Sequence, residues 1–143
     1  MATLNTGEFE KIVITDAGRA MISGARDDNN ITFTRIALGD GQIESPDDIF
    51  TLTAIKNECL SVPIVSKTDI ADGQMRLEFR LNNSEIETGF TFREIGIMAH
   101  MGDGIDQLYA YTYAKNPTQI NDKNTPIQER IIYADIVVGN SEN

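Results

Sequence analysis

Few residues in this chain have the types and spacing that chemistry needs. His100 is the only histidine and Cys59 the only cysteine. A nucleophilic triad needs a nucleophile, a histidine and an acid held together, and no local signature around His100 supplies one. His100 stands beside Gly102-Asp103-Gly104, a turn-like stretch, so a solvated loop histidine is expected. Cys59 falls in ECLSVPIV (58–65), which reads as a buried strand, and a core thiol is expected there. One cysteine forms no disulfide within the chain and excludes a cysteine-rich zinc site.

Paired carboxylates can hydrolyse glycosides. Asp27-Asp28 and Asp47-Asp48 are adjacent pairs, but both look like exposed residues flanking helices. The acidic stretches Asp69 to Asp72 and Asp103 to Asp106 lack the spacing of a calcium loop. Gly39-Asp40-Gly41 lacks the Gly-Lys-Ser/Thr ending of a phosphate loop. The sequence therefore assigns no catalytic residue, no cofactor and no metal site.

Glu94 remains, inside GFTFREIGIM (89–98). Strand alternation puts Phe90, Phe92, Glu94, Gly96 and Met98 on one face and Thr91, Arg93, Ile95, Ile97 and Ala99 on the other. Both faces are mostly apolar, so a central strand covered on both sides is expected. Arg93 and Glu94 then point apart and do not pair with each other. A buried charge costs several kcal/mol unless it is bonded. The expected partners are backbone carbonyls for Arg93 and backbone N–H groups for Glu94. Such an arrangement ties loops to a sheet, and a catalytic Glu94 is the alternative. Gly96 signals close approach by another segment. Tyr109, Tyr111 and Tyr113 alternate in DQLYAYTYA (106–114) and line one strand face. Cross-strand packing is expected of them, with a sugar- or partner-binding platform as the alternative.

The elements that would position these residues follow from periodicity. EFEKIVIT (8–15) reads as a short strand or extended lead-in. In TDAGRAMISGAR (15–26), Thr15 or Asp16 can cap a helix, and Ala17, Ala20, Met21 and Gly24 form one small-residue face. The polar run Asp27 to Asn30 ends it. ITFTRIAL (31–38) is a strand stopped by a turn at Gly39-Asp40-Gly41. SPDDIFTLTAI (45–55) opens with Ser45, Pro46 and two acids, which are helix-start signals. Residues 58–67 form a strand whose Pro63 suits an edge. Asp72-Gly73 is a turn, and QMRLEFRLN (74–82) alternates strictly, with Met75, Leu77, Phe79 and Leu81 facing inward. The stretch HMGDGI joins residues 89–99 and 106–114 into a hairpin. Residues 115–129, with two prolines, read as a long exposed loop, and IIYADIVVG (131–139) as a last strand. The expected fold is α+β: a mainly antiparallel β-sheet with one or two short helices in the N-terminal half.

The chain has 143 residues, the size of one domain, with 41% hydrophobic residues. Its 12 basic residues are scattered among 22 acidic ones, for a net charge of −10. Phosphate binding needs clustered Lys and Arg, so neither nucleic acid nor an anionic membrane is an expected partner. The acidity reads as solubility, or as docking to a basic partner. The N-terminus has no secretory signal, and no window approaches a membrane span.

The order of these motifs resembles the N-terminal domain of phage tail fibre proteins of the tail-collar type, found in contractile-tailed phages and R-type bacteriocins. The resemblance covers roughly residues 10–114. Its two marks are A-L-G-D-G at 37–41 and F-R-E-I-G-I at 92–97, with about 50 residues between them. It singles out Gly39, Asp40, Gly41, Arg93, Glu94 and Gly96 as a structural motif and brings no catalytic residue. It implies one attachment domain over residues 1–143, a non-enzymatic structural part of a virion or tail-like particle assembled in the bacterial cytoplasm. Such a domain grips a baseplate protein, is expected as a homotrimer, and carries a downstream fibre shaft or a separate fibre chain. No shaft follows residue 143, so the chain is expected to be either a fragment or a short attachment protein. The docking surface is expected at residues 2–9 and in the 115–129 loop. A carbohydrate-binding module contributing to host receptor recognition, built on the tyrosines, is the alternative function, and a small hydrolase on Glu94 a further one.

Overall fold

The computed structural model describes residues 3–4, 9–25 and 30–138. Among these residues eight strands, all paired antiparallel, follow one another as β1 (Thr3–Leu4), β2 (Val13–Ile14), β3 (Ile31–Gly39), β4 (Glu58–Ala71), β5 (Gln74–Asn82), β6 (Phe90–Met101), β7 (Gln107–Ile120) and β8 (Glu129–Val137). Their order across the sheet is β1-β8-β5-β4-β3-β6-β7-β2. Strands take 56% of the described residues and helices 12%. The mainly antiparallel sheet and the two short helices in the N-terminal half are as expected, but the helices are so small a share that the fold is mostly β rather than α+β. The second helix, Pro46–Thr51, is a single 3₁₀ segment with Ser45 and Asp48 closing a capping box. No described helix is long and apolar enough to cross a membrane.

The sheet curls because β4 changes partners midway. Its first half pairs with β3 as far as Arg35 opposite Pro63, and its second half pairs with β5 from Ile64 to Ala71. Among the described residues, each half has one side without a partner strand. That is where Pro63, which has no N–H to give a ladder, is tolerated. Curling brings the inner faces of β5 and β8 (Leu77, Phe79, Leu81, Ile132, Ala134, Ile136) against those of β3, β6 and β7 (Ile36, Leu38, Ile95, Ile97, Tyr109) in one core. The Tyr109 hydroxyl donates to the Val137 carbonyl at 2.6 Å, linking β7 to β8. The strict alternation of QMRLEFRLN sets this up: Leu77, Phe79 and Leu81 are buried while Arg76 and Arg80 are exposed. Gly73, at φ 72°, takes the left-handed conformation that the β4–β5 turn requires.

The helix α1 (Asp16–Gly24) is capped by Thr15, whose side chain accepts from the Gly18 N–H at 3.1 Å. Its buried positions are Gly18 and Met21, whereas Ala20 is exposed, so the packed face is rotated from the expected small-residue face. Gly18 sits against the Tyr109 carbonyl and leaves no room for a side chain. The polar run expected to end the helix begins in residues 26–29, outside the described residues. Among the described residues of the expected lead-in strand, only Val13–Ile14 and a bridge between Phe9 and Ala114 are β-structure.

The stretch 115–129 is not a long exposed loop. β7 continues to Ile120, with Thr118 to Ile120 pairing with Phe90 to Phe92. Pro117 fits because residues 114–117 bulge out opposite the single residue Arg93, where no ladder N–H is needed. The remaining turn is pinned by Asn83, which is buried. Its side chain donates to the Asp122 and Pro126 carbonyls and to Thr125 Oγ1, and accepts from the Gln128 N–H at 2.8 Å.

Candidate functional site

The Glu94 side chain is fully buried in β6 and accepts four hydrogen bonds. Oε1 takes the Lys56 N–H and the Tyr111 hydroxyl, both at 2.7 Å. Oε2 takes the Gly41 N–H at 2.9 Å and the Asn57 N–H at 3.0 Å. A carboxylate has about four lone-pair sites, so these donors use its whole capacity. Three are backbone groups from two loops, 40–45 and 52–57, that have no ladder to join. Two further bonds fasten those loops to each other: Asp40 N–H to the Asn57 carbonyl at 3.2 Å, and the Asn57 amide to Asp40 Oδ1 at 2.6 Å.

Glycines make room for this arrangement. Gly39 ends β3 opposite Glu94, and a Cβ there would lie 2.7 Å from Glu94 Oε2. A Cβ on Gly41 would lie 2.8 Å from the same oxygen and 2.9 Å from the Asn57 nitrogen. Both have negative φ, so close approach and not backbone conformation requires them. Gly39-Asp40-Gly41 accordingly passes beneath the carboxylate, from the end of β3 into an irregular segment, and is not the turn expected. Gly96 is pressed by Ile55 and Leu108.

Arg93 has a different fate from its neighbour. It is half-buried, and among the described residues no hydrogen bond or ion pair reaches it, so the expected carbonyl partners are not there. Instead it lines a cavity of about 270 Å³ with Gln42, Glu44, Pro46 and Tyr113, opened by the bulge at residues 114–117. The register shift between Phe92 and Glu94 also changes the phase of alternation. Phe90 and Phe92 pack in the same core as Ile95, Ile97 and Ala99, while Met98 joins a smaller cluster with Ala37, Ile49, Ile55, Leu108 and Tyr111. The two expected faces are thus spliced at Arg93.

A second bulge splits the tyrosines. Ile97 faces Ala110 but Met98 faces Leu108, so Tyr109 is an extra residue. Tyr109 turns into the main core and Tyr111 into the smaller cluster, both fully buried, and only Tyr113 is partly exposed. Burial raises both phenol pKa values above the ordinary range, and the bond to Glu94 raises that of Tyr111 further.

The other candidates lie apart. His100 is not in a turn. It sits in β6 opposite Thr32, half-buried, with a buried Nδ1 that has no partner among the described residues. Cys59 is exposed rather than a core thiol, because the ladder slips there: Leu38 faces Leu60 and Gly39 faces Glu58, leaving Cys59 bulged out. Partial desolvation of the sulfur by its neighbours, then the Asp40 charge nearby, raise its thiol pKa, the wrong direction for a nucleophile. Asp47 and Asp48 are exposed in the first turn of the 3₁₀ helix. Asp69 and Asp72 are exposed at the β4–β5 turn, and Asp103 and Asp106 at the β6–β7 turn. Asp27-Asp28 lies outside the described residues. Among the described residues no three His, Cys, Asp or Glu side chains cluster as a metal site would need. The sequence reading missed Lys56, Asn57 and Tyr111 as Glu94 partners. The two glycines of the Gly-Asp-Gly stretch were the available signal that something must fit closely against it.

No protein-family model matches the chain, and no curated protein or solved structure is significantly similar to it.

Proposed function

We propose that this chain is a structural component of a phage or phage-tail-like particle and attaches the tail fibre to the baseplate. The observation that carries the reading is the union of its two motifs. A-L-G-D-G and F-R-E-I-G-I, which the resemblance to tail-collar fibre domains rests on, are joined by the bond from the Gly41 N–H to Glu94. Two short motifs far apart in sequence that share one buried tie behave as one architectural signature rather than two chance matches. The filled hydrogen-bonding capacity of Glu94 supports a non-enzymatic role, since a general base needs a free lone pair for its proton. In this reading the protein is a homotrimer, binds a baseplate protein, and holds a downstream shaft or a separate fibre chain.

No observation favours the carbohydrate-binding alternative. Two of its three tyrosines are inside the molecule and offer no ring face to a sugar. The test of attachment is immunogold electron microscopy of tail particles with an antibody to this chain. Label at the baseplate end is the expected result. Unlabelled particles beside free protein in the lysate would overturn it.

A further inference from the structure

Beyond Pro63, β4 is an open edge. From Ile64 to Ala71 it pairs with β5 on one side, and among the described residues no strand pairs with it on the other. Every side chain from Val65 to Ala71 is exposed, including the large apolar Val65 and Ile70. Such an edge offers backbone N–H and C=O groups to any extended chain. The register with β5 slips between Ile64 and Ser66 and again between Asp69 and Ala71. Two bulges therefore bracket one regular stretch, Ser66 to Asp69, and limit how far a partner strand can run.

We propose that this edge pairs antiparallel with the same edge of a second copy, about a two-fold axis through Thr68. That register sets Lys67 opposite Asp69 of the second copy, and Asp69 opposite its Lys67. It also sets Ser66 opposite Ile70, and Val65 opposite Ala71. Lys67 and Asp69 lie across from Leu77 and Met75 on β5 and so share one face of the sheet, where a directly opposite pair of unlike charges is favourable. Moving the axis to residue 67 or residue 69 puts like charges face to face, and any other slip leaves both charges unmatched. A charged edge normally discourages pairing. Here the two charges favour one register, oppose the two beside it on the same face and give the others nothing. A contact of this kind is isologous and closes on two copies. It is separate from the threefold association proposed above and does not depend on fibre attachment.

The test is the molar mass of the full chain in solution, by sedimentation equilibrium over a range of protein concentrations. The wild-type mass should double with rising concentration, from one chain mass, 15.8 kDa, towards two, or from three chain masses towards six where the threefold association has formed. Lys67→Asp and Asp69→Lys should each weaken association about tenfold or more, because each turns both cross-strand pairs into repulsions. The double variant Lys67→Asp/Asp69→Lys should restore it, since the pairs are re-formed with exchanged signs. Both side chains are exposed, and unchanged melting temperatures would show the variants folded. A wild type that stays monomeric would overturn the proposal. So would self-association, to two chains or three, that the single reversals leave unchanged or the double reversal fails to restore.

Discussion

β4 passes through two environments within one strand. From Glu58 to Pro63 it lies along β3, beside the loops that Glu94 gathers, and Val62 is buried. From Ile64 to Ala71 it lies along β5, and from Val65 onward every side chain faces water. The backbone is extended throughout, so the difference is made by what each half meets. Near the first half, a carboxylate without solvent is matched by four donors. In the second, Lys67 and Asp69 are exposed and have no partner among the described residues. Polar groups that specify the fold are thus saturated, and those left open can specify association.

Breaking the saturated region should have the largest effect. Glu94→Gln puts an amide NH₂ against donors, leaving without an acceptor either the Lys56 N–H or both the Gly41 and Asn57 N–H groups. A loss of about 3–5 kcal/mol is expected. In thermal unfolding this is a fall of about 10–20 °C for a chain of this size. A variant that melts within a degree or two of the wild type would show that the tie contributes little.

Val62→Ala tests the covered half of β4 by packing alone. Val62 belongs to the main core, and removing its two methyl groups should cost about 2 kcal/mol, read from the urea midpoint at unchanged slope.

The two buried phenols also predict a pH dependence. The phenols of Tyr109 and Tyr111 hold their protons above the ordinary value near 10 in the folded protein. Above that pH the unfolded chain binds fewer protons than the folded one, so stability falls as pH rises and is intact below it. Each phenol should contribute a slope of about 1.4 kcal/mol per pH unit above pH 10. Tyr109→Phe should remove one such slope, as measured by denaturant titrations at neutral pH and on either side of pH 10.

Much of this division could be read in the residues, and the rest could not for a definite reason. QMRLEFRLN declared its faces because burial on one side imposes a period of two. Thr15 and Asp72-Gly73 declared a cap and a turn because few residue types serve there. Glu94 declared its need for donors, since a carboxylate in an apolar strand must be matched. Which donors answer depends on where residues 40–45 and 52–57 arrive in three dimensions, and local pattern carries no information on that. Bulges defeated the remaining expectations. Cys59 and Tyr109 are extra residues of their own strands, and Arg93 faces four residues of β7; the strand patterns read smoothly at all three because a bulge exists only in the register with the neighbouring strand. Each slip reverses every inside–outside assignment beyond it. That is why the tyrosine stripe divides and a supposed core cysteine lies outside.

The smallest expected effect completes the contrast with Val62. Val65→Ala makes the same chemical change three residues along the same strand, but Val65 is 49% exposed and sits in a bulge. Its methyl groups leave little behind, and stability should change by no more than about 0.5 kcal/mol. Comparing the two variants in one urea series removes side-chain chemistry as a variable and leaves burial. If Val65→Ala cost as much as Val62→Ala, the distal half of β4 would be covered in solution by something the monomer does not contain. A penalty that grew with protein concentration would point to a second copy as that cover, and a constant one to the chain itself.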